Sequence, residues 1–249
     1  MAAPRRLYEK IAQTIAADIA SGKFAVGQRL PSERDLAHAL DVSRPTVREA
    51  IIALELDGLV DVRMGSGVYV LHQRPPAGHA PDRDIGPFEL LEARRAIEGE
   101  SCALAAPRIT DDQIEKLNEL IAEMRSDNQQ NEIVLSEDAD RRFHELIAES
   151  TQNSAVFASV QMLWETRSRS PQTHLADDRV RAKGLKPSIA EHTAVVRALK
   201  RRDPDAARAA MHKHINLVIE RLLQYTEVRE MQRLRETAAE KRRRYAVNR

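Results

Sequence analysis

Two side chains with metal-ligand chemistry stand four residues apart in the stretch DADRRFHELIAES: Asp140 and His144. On an α-helix that spacing puts a carboxylate and an imidazole on one face. Two further segments of helical pattern carry His192, in EHTAVVRAL, and His214, in MHKHINLV. If these helices pack together, three nitrogens and one oxygen converge, a donor set suited to Zn²⁺, Ni²⁺ or Mn²⁺ with positions left for water or a ligand oxygen. The same spacing also describes a surface pair or a hydrogen-bonded core histidine, so only the fold can make it a site. His212, about 200° round the helix from His214, should face elsewhere.

The elements that would position these residues are all helical. Phe88 to Ala106 reads as one helix. Thr110 and Gln113 form a capping box ahead of a second, which carries Ile114, Leu117, Ile121 and Met124. A third spans Ser136 to Glu149 and a fourth Ser154 to Arg167. Asn153 suits a cap for the fourth, or a hydrogen-bond partner behind the metal ligands. From there through Gly184 and Pro187 the chain reads as polar and irregular. A helix follows from Ser188 to Lys200, and Asp203-Pro204, an N-cap with an N1 proline, opens a long final one. The expectation is an all-α domain over residues 88–225.

The N-terminal part has a different grammar. Leu7, Ile11, Ile15 and Ile19 make an amphipathic first helix closed by Gly22. Ser32 with Asp35 starts a short helix carrying Leu36 and Leu40, Asp41-Val42 is a turn, and Ser43 caps a helix whose first turn tolerates Pro45. Val47, Ile51 and Leu54 form its apolar stripe, and Gly58 ends it. Off that stripe lie Pro45, Thr46, Arg48 and Glu49, with Ser43 and Arg44 at the N-terminus, where a recognition helix meets base edges and phosphates. Leu59 to Val62 and Val68 to Val70 then read as a hairpin whose glycines permit a sharp turn and close approach to a groove. This is a winged helix-turn-helix pattern, although helix-turn-helix packing also occurs in cores that never meet DNA.

At 249 residues the chain is long enough for two modest domains, and its 4% aromatic content favours packed helices. The net charge is +1, and residues 1–74 hold 10 Lys plus Arg against 9 Asp plus Glu, so any basic face must come from arrangement. The stretch HQRPPAGHAPDRDIGP marks the boundary, with a first domain over 1–74 and a linker over 75–87. His72 and His79 there read as solvated. Residues 226–249 form a charged tail ending near Lys241-Arg242-Arg243-Arg244, which reads as a solvated helical segment with DNA phosphate as the alternative. Cys102, the single cysteine, excludes an intramolecular disulfide and reads as a small buried hydrophobe. MAAPRRLYEK lacks an apolar signal core and no 18 apolar residues run together, so a cytoplasmic protein without a membrane partner is expected.

These residues carry two resemblances. LPSERDLA, VSRPTVREAI, LELDGLV and the Gly-x-Gly wing resemble the DNA-binding domain of the GntR family of bacterial transcription regulators, across nearly all of residues 7–70. The resemblance implies that Arg34, Arg44, Thr46 and Arg48 contact DNA from the helices and that Gly65 to Gly67 reach the minor groove. Pro45 departs from the small hydroxyl residue often found at its position. ELLEARRAIE, DADRRFHELIAESTQNS, EHTAVVRAL and RRDPDAARAAMHKHI resemble the FCD-type ligand-binding bundle of the FadR subfamily, over residues 89–222. Its metal pattern falls on Asp140, His144, His192 and His214 with all four residue types kept.

The second resemblance also makes Arg94 a candidate for holding a carboxylate effector, through the bidentate fork of a guanidinium. The alternative is a helix-surface pair with Glu98. Trp164 and Arg167 would share a helix face near the pocket. FELLEARRAIE, the tryptophan helix and the His174 to Asp178 segment are most similar to regulators of hexuronate and related sugar-acid catabolism. The expectation is thus a homodimeric repressor, not an enzyme, that binds double-stranded operator DNA under control of a small sugar acid held at a divalent metal. The rivals are a regulator whose effector is the metal itself and, on the same four ligands, a metal-dependent enzyme.

Overall fold

The computed structural model describes residues 6–63, 66–75, 85–130, 133–182, 184 and 186–226. It divides into two compact units, one built from the N-terminal residues and one spanning Ile85–Tyr225.

In the first unit α1 (Leu7–Ala20) buries Tyr8, Ile11, Ala12, Ile15 and Ile19 along one face. The four-residue spacing of the isoleucines produces that stripe. α2 (Glu33–Leu40) starts where the Ser32 hydroxyl accepts from the Asp35 N–H at 3.2 Å, and it stops where Asp41 turns left-handed at φ 53°. α3 (Arg44–Leu56) is capped by Ser43, whose hydroxyl accepts from the Thr46 N–H at 3.2 Å, with Pro45 in the first turn. Beyond its end Gly58 takes φ 70°, which lets the Leu59 N–H return to the Leu54 carbonyl at 2.9 Å. Antiparallel β1 (Val60–Arg63) and β2 (Gly67–Val70) pair Val60 with Val70 and Arg63 with Gly67. Val47, Ile51, Leu54, Val60 and Val68 join the α1 stripe in one core.

The second unit is all helix among its described residues. Its order is α4 (Pro87–Ala105), α5 (Asp111–Gln130), α6 (Ile133–Ser150), α7 (Ser154–Arg169), α8 (Pro171–Arg181), α9 (Ile189–Lys200) and α10 (Pro204–Thr226). The expected capping box opens α5: Thr110 N–H donates to Gln113 Oε1 at 2.9 Å, and Gln113 N–H to Thr110 Oγ1 at 3.2 Å. Asn153 caps α7 through its side-chain oxygen, the simpler of its two readings. α6 packs against α4, α5 and α7. That makes it the element around which a site can form.

One segment departs from expectation. The polar stretch after Arg169 is a helix: Ser170 Oγ accepts from the Thr173 N–H at 3.2 Å, and Pro171 takes the N1 position. No apolar period announces α8 because its inward positions include Gln172 and Thr173, both buried. Among the described residues no helix is long and apolar enough to cross a membrane. The tail over 227–249 lies outside the described residues.

Candidate metal centre and nucleic-acid interface

In the helical unit the four predicted ligands meet. Asp140 and His144 come from α6, His192 from α9 and His214 from α10, and one ligand atom from each lies within 4.8 Å of every other. All three histidines are buried, with ring centroids 4.6 to 5.8 Å apart. His212 stays out of the cluster, as its angle on the helix requires; its ring lies over Gly99, where a side chain would overlap it.

Each histidine turns Nδ1 outward to an oxygen. His192 Nδ1 lies 2.7 Å from the Ser188 carbonyl, His214 Nδ1 lies 3.0 Å from Glu191 Oε2, and His144 Nδ1 lies 2.5 Å from Glu98 Oε2, off the line of a good hydrogen bond. A carbonyl can only accept, so the proton of His192 sits on Nδ1. Its Nε2 lone pair then faces the Asp140 carboxylate oxygen at 2.6 Å. In the neutral ring these two acceptors repel unless a cation lies between them; in the imidazolium that cation is the ring's own Nε2 proton, which a divalent ion would replace. His144 Nε2 is also buried without a hydrogen bond, 3.5 Å from Asp140 Oδ1. Outer oxygens fixing Nδ1–H so that Nε2 converges on one point is the arrangement that holds a divalent metal. The residues present fit such an ion.

In the ion-free site the same groups share protons: burial opposes a charged His144, but the Glu98 and Asp140 carboxylates outweigh it and raise its pKa. Burial opposes the charged form of Asp140, but the imidazoles of His144 and His192 outweigh it and hold the carboxyl well below its usual range. Burial likewise opposes the Glu98 carboxylate, yet Arg94 and His144 bring its pKa down to about 2. Burial lowers His214 to about 4 against the pull of Glu191, with His192 and His144 adding to the shift. A neutral His214 is the ligand form.

A cavity adjoins this cluster. Asp140, His192 and His214 line it together with Arg94, Arg167 and the α8 residues Thr173, Asp177 and Arg181. Arg94 is committed on one edge: Nε donates to Glu98 Oε1 at 2.7 Å and Nη2 to Oε2 at 3.4 Å. The predicted alternative pair therefore exists, but it is buried rather than on the surface. It leaves the Nη1 side of the fork for a ligand. Arg167 lines the cavity and donates to Asp177 at 2.8 Å. Trp164 is corrected: it does not line the cavity but lies behind it, with Arg94 stacked 4.0 Å above its ring and His144 5.3 Å away.

The sequence reading missed the outer carboxylates Glu98 and Glu191. Glu98 was visible only as a partner for Arg94. Glu191 stands next to His192 in the chain, yet its Oε2 serves His214, and Arg221 donates to both of its oxygens. Only the packing of α9 on α10 reveals that role.

In the first unit Arg34 and Arg44 are exposed, Arg34 with 84% of its side chain accessible. Ser43 is exposed and Thr46 half-buried, their hydroxyl oxygens 2.7 Å apart. These four residues occupy the entrance of α3 and the start of α2, the positions expected of a DNA-reading surface. Arg48 is the correction. It is 1% exposed and paired with Glu33 of α2, Nε donating to Oε1 at 2.9 Å. The pair ties the two helices of the motif together and leaves little of the guanidinium at the surface. Glu49 beside it is buried as well. Gly67 sits at φ 141° with the Arg29 side chain passing over it, where a Cβ would collide. Gly65 lies outside the described residues.

A capped helix-turn-helix with a two-stranded wing, followed in the chain by a separate helical bundle, is an architecture used by DNA-binding transcription regulators. Residues 7–70 match the family described as bacterial regulatory proteins, gntR family, and residues 89–217 match the FCD domain. The Exu regulon transcriptional regulator of Escherichia coli (strain K12) is 37% identical over 217 residues, covering 85% of this chain and 83% of its own. The Uxu operon transcriptional regulator of the same strain is 35% identical over 234 residues, covering 90% of each. Among solved structures, Streptococcus agalactiae GntR covers 85% of this chain and 98% of its own at 29% identity, with a TM-score of 0.45. The chain belongs to the GntR family of transcription regulators and carries an FCD domain. Family and relatives alike are regulators, which sets the enzyme alternative aside.

Proposed function

We propose that this protein is a homodimeric repressor whose operator affinity is set by a small carboxylic acid, a hexuronate or related sugar acid, bound at a divalent metal in the helical domain. The observation that carries the reading is the convergence of Asp140, His144, His192 and His214, of which Asp140, His192 and His214 also line a cavity shared with Arg94 and Arg167. Asp140, His144, His192 and His214 would hold the ion, and Glu98, Ser188 and Glu191 would orient the rings. When bound, the metal supplies a Lewis-acidic centre for a carboxylate oxygen. Arg94 offers its unpaired edge to the same acid. Arg34, Ser43, Arg44, Thr46, Gly65 and Gly67 are the proposed DNA contacts, base edges setting specificity and phosphates the salt-dependent affinity. Relatives that regulate the Exu regulon and the Uxu operon support the choice of acid.

A ligand changes operator affinity only by as much as it prefers one arrangement of the protein over another. The test is thermal shift of metal-loaded and chelator-stripped protein against uronates, aldarates and short dicarboxylates. A bound acid raises the melting temperature by mass action. Stabilisation by a hexuronate that disappears on stripping is the expected result. Stabilisation by metal alone, with no acid effective, would replace the reading with a metal-responsive regulator.

A further inference from the structure

Three walls of the cavity differ in chemistry. α4 contributes Leu90 and Leu91, and α10 contributes Val218 and Leu222, all apolar. The α8 wall presents Thr173, Asp177 and Arg181, spaced by four residues and so aligned along one helix face, about 6 Å per step. An unsubstituted aliphatic acid would satisfy the first two walls and strand the third.

The polar groups of α8 are in an unusual state. Thr173 is 4% exposed, and its hydroxyl makes no hydrogen bond, not even to the carbonyl one turn back that a helical threonine commonly uses. A buried hydroxyl left in that state is costly, so it implies a partner from outside the chain. Asp177 receives Arg167 on Oδ2 at 2.8 Å, which leaves Oδ1 to accept. Burial pushes its carboxyl above the usual range, partly countered by Arg167. Arg181 donates to Glu137 at 2.9 Å and to Asp178 at 3.0 Å. Each charge on this wall is thus already matched by its opposite. The ligand group that suits such a wall is neutral and able both to donate and to accept, which describes an alcohol.

We propose that the α8 face formed by Thr173, Asp177 and Arg181 reads the hydroxyl groups of the effector, so that the protein selects a polyhydroxylated acid over an aliphatic acid of the same length. The inference rests on the metal-and-acid reading above and assigns its specificity to α8. Thr173 gives and accepts one hydrogen bond, Asp177 accepts a second, and Arg181 fixes Glu137 and the far end of the wall. A site built to bond hydroxyls rejects an analogue without them because its own polar groups stay unpaired.

The test is calorimetry on the full-length, metal-loaded protein with glucuronate or galacturonate and with 2-hydroxyhexanoate, which keeps the carboxylate and its neighbouring hydroxyl but loses the rest. The wild type should prefer the hexuronate by about 100-fold or more. Thr173→Val, of nearly equal shape, should weaken the hexuronate about tenfold and leave 2-hydroxyhexanoate unchanged. Asp177→Asn should narrow the preference in the same direction. Unchanged metal affinity and a melting temperature no lower than that of the wild type confirm that each variant is folded with its metal end intact, and if Asp177→Asn fails that check the threonine variant decides alone. Equal binding of the two acids by the wild type, or hexuronate affinity untouched by Thr173→Val, overturns the inference while the acid-responsive reading stands. Failure of the wild type to bind either acid overturns both.

Discussion

Replacing Arg48 by Ala distinguishes a packing role from a DNA contact. Arg48 is 1% exposed and its partner Glu33 8% exposed. The variant leaves a carboxylate buried without its cation, a change that costs about 3–5 kcal/mol. For a unit of this size each kcal/mol moves the melting temperature by about 4–8 °C, so the DNA-binding unit should melt on the order of 12 °C or more below wild type. Circular dichroism and calorimetry on the full chain would measure it, beside operator affinity. The informative companion is Glu33→Leu with Arg48→Met, which removes both charges and should recover most of the lost stability. On this account the double variant also recovers operator binding. A wild-type melting temperature for Arg48→Ala, or a stable double variant that has lost the operator, would refute it and return Arg48 to the DNA surface.

Further outcomes follow from the metal centre. Glu98→Gln should weaken metal binding about 10- to 100-fold by releasing the His144 ring, read by competition with a chromogenic chelator. The Glu98 pKa of about 2 lies below its ordinary value of 4.5, so its contribution to stability is present above pH 4.5 and is lost as pH falls towards 2. Acid unfolding of the metal-free wild type should show that window, and Glu98→Gln should lose its share of it, the Glu191 and Asp140 carboxylates, also held low, keeping the rest. Gly99→Ala should displace the His212 ring and destabilise the bundle by about 1–3 kcal/mol in urea unfolding, with metal affinity unchanged. His192→Ala should abolish metal-dependent acid binding while leaving operator binding in place, measured by calorimetry and fluorescence anisotropy.

Much of this was legible in residue types and spacings, because local rules fix local outcomes. Ser32, Ser43 and Thr110 cap the helices they were expected to cap, and Gly58 ends α3. The Asp140, His144, His192 and His214 cluster was legible as residue types, and the helices that carry its members were legible as periods. What escaped depends on partners distant in the chain. Arg48 lies one turn before Ile52, on a second buried face that the Val47, Ile51 and Leu54 stripe did not reveal, and Glu33 of α2 neutralises it there. Arg94 and Glu98, four apart, look the same in sequence whether solvated or buried; only His144 and Trp164 packing against them decides. α8 was invisible because a helix that turns polar residues towards a cavity has no apolar period.

The most direct measurement is operator affinity by fluorescence anisotropy, on a duplex selected by the protein from random sequence, with four states of the protein: stripped, metal-loaded, and each with hexuronate added. The account predicts that the acid releases operator only from the metal-loaded protein. Release by metal alone, or equal release by the acid from stripped and loaded protein, would contradict it.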